Sequence, residues 1–136
     1  MIYFKKIVLL LLIIFYFVAG IKHFINPAPY LTIIPPYLPY PETLSYSAGF
    51  FEVTFALLVF PIKTRKYACW GLILMLLALM PCHIYMIQKA NVAPFLLGKW
   101  TITPLIAWVR IPFQAIFILW AYWCSKMRFN LIKYYD

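Results

Sequence analysis

Residues 20–52, GIKHFINPAPYLTIIPPYLPYPETLSYSAGFFE, decide the architecture of this chain. They join two apolar runs, and six of the 11 prolines fall within them: Pro27, Pro29, Pro35, Pro36, Pro39 and Pro41. Proline removes a backbone donor and fixes φ, so no continuous helix runs through the stretch. Ala28 to Ile34 leaves room for a turn or two of helix lying in an interface, and Pro35 to Pro41 reads as extended, close to polyproline II. The expected result is a lid over one end of a bundle. Lys22 and His23 close the first apolar run and Glu52 lies inside the second, where charged groups are costly in lipid and so point to a purpose.

Outward from that stretch, the whole chain is apolar. Of 136 residues, 66% are hydrophobic and 11% charged, with a mean hydropathy of +0.89. Too few polar residues remain to cover a water-soluble globule, so the chain reads as an integral membrane protein whose first partner is the lipid bilayer. At about 20 apolar residues per crossing, one domain over residues 1–136 accommodates four transmembrane helices, at about 7–23, 42–60, 67–88 and 104–125. The expected fold class is all-α, a four-helix transmembrane bundle with a proline-rich outer loop. Val18, Ala19 and Gly20 imitate a signal-peptide cleavage site, but the first segment is expected to be retained as a helix. Pro81 should bend the third helix and free the carbonyl of Leu77, Pro112 should kink the fourth, and residues 89–103 read as a loop.

The net charge of +9 would in a soluble chain suggest nucleic acid. Here the basic residues flank apolar runs instead of forming a basic and aromatic surface, which argues against nucleic acid and for topology. One side gathers Lys5, Lys6, Lys63, Arg65, Lys66, Lys126, Arg128 and Lys133, the other only Lys22, Lys89 and Lys99. Both termini are therefore expected in the cytoplasm, in a multi-pass protein with the proline-rich loop facing outward. Cys69, Cys82 and Cys124 make no CxxC pair, which gives little support to thiol redox chemistry.

With about 1.5 Å of rise per helical residue, Glu52 falls roughly 15 Å, His83 roughly 8 Å and Arg110 roughly 9 Å below the outer ends of their helices. His23 sits at the outer end of the first helix. Each helix thus brings a polar group to the outer half, and Glu52 is expected to pair with Arg110, directly or through water, with Gln114 one turn below Arg110 on the same face. The plainer alternative is a pair that fixes helix register and does no chemistry. His23, His83 and Glu52, without paired ligand spacing, do not make a metal motif.

The runs GIKHFINPAPYLTIIPPYLPYP, SAGFFEV, PCHIYMIQ and WVRIPFQAIFILWAYW together resemble the small membrane proteins of the DoxX family. The resemblance touches all four segments in order, through the proline loop, the acid of the second helix, the proline of the third and the RxPxQ of the fourth. It implies a four-helix bundle in the bacterial inner membrane, working beside oxidoreductases such as thiosulfate:quinone oxidoreductases or enzymes of thiol and oxidative-stress defence. The positions that carry it over are His23, Pro27, Pro35, Pro36, Glu52, Pro81, Tyr85, Arg110, Pro112 and Gln114. The residues and the resemblance lead to an accessory subunit whose outward-facing pocket binds a quinone, a lipid headgroup or another small molecule, or docks oxidoreductase subunits. Its ligand-binding residues would be Glu52, Arg110, His83, Gln114, His23 and Tyr85. Two rivals stand beside it: a quinone-linked sulfur or thiol oxidoreductase in its own right, and a small proton-coupled transporter working as a homodimer.

Overall fold

A computed structural model describes residues 1–132. Its core element is the crossing of α1 (Ile2–Ile25) with α3 (Pro41–Val59). Leu9, Leu12, Tyr16, Gly20 and His23 repeat at three- and four-residue intervals and form the buried face of α1. On α3 the same spacing buries Ser45, Gly49, Glu52, Ala56 and Val59. Where the two faces meet, a Cβ on Gly20 would lie 2.7 Å from the carbonyl oxygen of Gly49, and one on Gly49 would lie 2.8 Å from that of Gly20. The backbones touch, as small residues allow between apolar helices that gain little from the hydrophobic effect in lipid.

Between them the proline-rich segment forms α2 (Ala28–Ile33), the short helix expected there. The extended run expected after it is not found. The amide of Leu38 donates to the carbonyl of Pro35 at 3.0 Å, closing a turn, and Tyr40 takes a left-handed φ of 52° just before α3. A chain that must return onto the end of the bundle within a few residues cannot stay extended. Lys89 Nζ donates to the carbonyl of Thr32 at 3.2 Å and so fastens the lid to the far side of the bundle.

The third apolar run is two helices, α4 (Ile62–Ala78) and α5 (Met80–Val92), where one bent helix was expected. They break at Leu79, two residues before Pro81. Pro81 has no amide to give the Leu77 carbonyl, and beside it the buried carbonyl of Leu76 accepts from Gln114 Nε2 at 2.7 Å. α5 runs further than expected, to Val92, and the rest of the expected loop is a β-hairpin. β1 (Phe95–Leu97) pairs antiparallel with β2 (Trp100–Ile102). The two-residue connection uses Gly98 at φ 63°, which a glycine adopts without steric cost. The chain is therefore helical with a small hairpin, not all-α. α6 (Pro104–Ser125) closes the bundle, with Thr103 as N-cap, its hydroxyl accepting from the amide of Ile106.

α1 packs on α3, α3 on α4, α4 on α6, and α6 back on α1. Ile2–Ile25, Ile62–Val92 and Pro104–Ser125 are long and apolar enough to cross a membrane, and the protein is a multi-pass, mostly helical membrane protein. α3 has 19 residues but is less apolar, because it carries Glu42, Ser45, Ser47 and Glu52. The outward faces of the long helices are apolar, with Leu11, Ile14, Ile116 and Leu119 all exposed. This is the inverse of a soluble bundle and what lipid as solvent demands.

Arg65 does more than mark topology. It is 1% exposed and its guanidinium donates to four backbone carbonyls: Nε to Val59, Nη2 to Phe60, and Nη1 to Met127 and Phe129, all at 2.9–3.0 Å. Val59 and Phe60 end α3, so Arg65 fills carbonyls that a helix terminus leaves open and pins the segment after α6 beneath it. Lys6 Nζ reaches the carbonyl of Leu131 at 3.2 Å, which brings the start of α1 to the same end. Lys133, counted above with this end, lies outside the described residues.

Gly49→Ala should destabilise the protein by about 1–3 kcal/mol, since backbone blocks the added methyl. Arg65→Lys keeps the charge but cannot span four carbonyls and should cost about 3 kcal/mol. Both are read from denaturant unfolding in detergent micelles, with Leu119→Ala on the lipid-facing surface as the comparison that changes little.

Candidate functional site

The close α1–α3 crossing sets the site. One turn from Gly20, His23 faces α3 between Ser45, one turn before Gly49, and Glu52, one turn after it. His23 Nδ1 lies 3.0 Å from Ser45 Oγ and Nε2 lies 3.7 Å from Glu52 Oε2. All three residues are buried, with Glu52 7% and His23 6% exposed. On its open face the His23 ring is covered by Tyr30 of α2, whose ring stacks on it at 3.7 Å and 20°. Burial, with the Glu52 carboxylate beside it, raises the Tyr30 phenol above its ordinary range, so Tyr30 stays neutral.

The group opens onto a cavity of about 340 Å³ beneath the lid. Its floor and far wall come from α4, the α4–α5 break and α6: Met75, Leu79, Cys82, His83 and Arg110. Ile33, Ile34 and Leu38 roof it. The volume lies within the ~300–1,000 Å³ of small-molecule sites, and the mixture of apolar walls with a few convergent polar groups is what such sites share. Two buried atoms of the lining residues lack hydrogen-bond partners, Glu52 Oε2 and His83 Nδ1. Buried polar atoms are usually satisfied, so both are positions where a ligand or water oxygen would gain.

Of the residues singled out in the sequence, His23, Glu52, His83 and Arg110 line this one cavity. The expected Glu52–Arg110 ion pair is absent among the described residues, and Glu52 faces His23 instead. Arg110 stands on α6 across the cavity, while the α1–α3 crossing holds His23 against Glu52. Gln114 is not in the cavity; it is spent on the Leu76 carbonyl. Tyr85 lines a separate groove with Lys89 and Phe95, since it stands two residues after His83 on the same helix and so on a different face. Ser45 and Tyr30 were not foreseen. Ser45 had a signal in its spacing, four before Gly49 and seven before Glu52 on one helical face; Tyr30 had none, since a lid residue is placed by the turn that follows it.

Ser45, His23 and Glu52 have the order of a nucleophile, base and orienting acid. Ser45 lies in the second turn of α3, with its hydroxyl engaged by His23 Nδ1. The arrangement is suited to binding and proton exchange.

A family model described as a domain of unknown function (DUF8561) matches residues 12–125, from the middle of α1 to the end of α6. The chain belongs to that family. No curated protein and no solved structure matches it. The family match spans the crossing, the lid, the α4–α5 break and every residue of the cavity, while the DoxX likeness remains one of motifs.

The His23–Ser45 contact should be measurable by a double-mutant cycle. His23→Ala and Ser45→Ala are expected to couple by about 1 kcal/mol in unfolding free energy, whereas Tyr85→Phe and Ser45→Ala should be additive.

Proposed function

We propose that this protein is a four-span membrane protein that binds a small amphipathic molecule, of quinone or lipid-headgroup type, in the lidded cavity. The observation that carries the reading is that two buried atoms without hydrogen-bond partners, Glu52 Oε2 and His83 Nδ1, belong to residues that line one apolar-sided cavity. Arg110 and His83 on one wall suit a carbonyl or anionic oxygen. Glu52 and His23 on the other suit a group that gives or takes a proton, with Ser45 holding the ring of His23.

In this reading α3 crosses the membrane with the other three helices, its polar residues turned to α1 and the cavity. The end bearing Lys5, Lys6, Lys63, Arg65, Lys66, Lys126 and Arg128 faces the cytoplasm by the excess of basic residues, and the lid faces outward. The DoxX-like motifs support a bacterial inner-membrane location and an accessory role beside an oxidoreductase, with the cavity presenting quinone to the partner's redox centre. Purified protein should bind a short-chain quinone, and Glu52→Gln and Arg110→Gln should each weaken binding about tenfold, the equivalent of one lost charged contact. Tyr85→Phe should leave it unchanged. Quinone affinity that is absent, or indifferent to both cavity variants, would return the polar group to a purely structural role.

One observation favours a second reading. With no ion pair to Arg110 holding it ionised, Glu52 shares its site with His23, another proton-exchanging group, as a proton-coupled transporter requires. Proton-driven solute uptake into vesicles that disappears in Glu52→Gln, with quinone binding absent in the wild type, would select it.

A further inference from the structure

The opposite end of the bundle carries a second concavity, independent of the lidded cavity. It has a volume of about 400 Å³ and lies between the start of α1 and the segment after α6, lined by Ile2, Lys5, Trp123, Lys126, Arg128 and Phe129. We propose that this groove binds the headgroup phosphate of an anionic phospholipid.

Three cations line it, Lys5, Lys126 and Arg128, and among the described residues no carboxylate does. Among the described residues the only carboxylic acids are Glu42 and Glu52. One opens α3 beside the lid and the other lies in the lidded cavity, so neither serves this end. The other buried or tethered cations here are committed to carbonyls: Arg65 to four of them and Lys6 to Leu131. The three groove cations form no ion pair among the described residues. Lys126 lies over the Tyr122 ring at 4.5 Å, which orients it without neutralising it. The first turn of α1 adds the positive end of its dipole and contains no acid.

The groove is held in shape. Arg65 fixes the carbonyls of Met127 and Phe129 and thereby sets the two cations on either side of Met127. Trp123 is packed on Phe4 with ring centroids 6.3 Å apart. The depth is right for a lipid headgroup. At 24 residues α1 is about 36 Å long, more than the ~30 Å hydrocarbon core, so its first turn reaches the phosphate layer. Exposed Phe4 and Ile7 continue from the groove along α1, offering an apolar track for an acyl chain, which a free phosphate would not use.

The test is native mass spectrometry of the full chain in neutral detergent, titrated separately with phosphatidylglycerol and phosphatidylcholine. The wild type should retain one phosphatidylglycerol more tightly than phosphatidylcholine, and Lys5→Gln with Arg128→Gln should weaken it about tenfold. Lys63→Gln with Lys66→Gln removes the same charge from the same end outside the groove and should leave the affinity unchanged. Equal losses in the two double variants, or no loss in the first, would overturn the proposal. So would displacement of the lipid by inorganic phosphate at matching concentration, which would assign the groove to a free anion. Unchanged thermal unfolding of both double variants keeps the comparison free of folding effects.

Discussion

The contact of two glycine backbones, Gly20 on α1 and Gly49 on α3, is the constraint on which the rest of the structure depends. Side chains at either position would hold the helices apart, since each would meet the other's carbonyl oxygen below 3 Å. With the axes this close, residues one turn to either side reach across: His23 finds Ser45 and Glu52 without extending. In lipid, where apolar surfaces have no reason to prefer each other over acyl chains, close backbone packing and a few buried polar contacts are what associates helices. The same crossing therefore supplies both adhesion and the polar group that the cavity displays.

Around that seam the prolines and polar side chains divide the remaining tasks. Pro81 cannot donate to the helical ladder, the run from Ile62 to Val92 breaks at Leu79, and Gln114 takes up the carbonyl of Leu76. Cys82 and His83 in the first turn of α5 line the cavity, while Tyr85 on another face of the same helix lines a separate groove. At the other end Arg65 acts as a four-way clamp on backbone carbonyls, so a residue that looks like a topology signal is also a structural fastener. The outcome is a bundle tightly fastened at its basic end and hollow under its lid.

Among the described residues Arg110 forms no ion pair, which changes how the cavity is understood. An ion pair with Glu52 would have made the polar residues largely self-sufficient. Instead, carboxylate and imidazole face each other on one wall and guanidinium and imidazole stand on the other, with unpartnered atoms between them.

Composition and the spacing of apolar runs were enough to read a membrane protein, the helix limits of α3 and α6 to within a residue or two, the short α2, and four of the cavity residues. These properties are local or one-dimensional: hydropathy, proline's missing donor, and the depth that follows from rise per residue. Tertiary structure alone decided which polar groups meet. Depth along a helix says nothing of its rotation, so Glu52 could be placed in the same half of the bundle as Arg110 and still face His23. Rotation is fixed by the two glycines, whose role depends on what stands opposite them, and by the turn at Leu38 that lays Tyr30 on His23. The hairpin at residues 95–102 escaped for a related reason: two three-residue strands have little pattern of their own and form because Phe95, Leu97 and Ile102 have α5 and α6 to pack against.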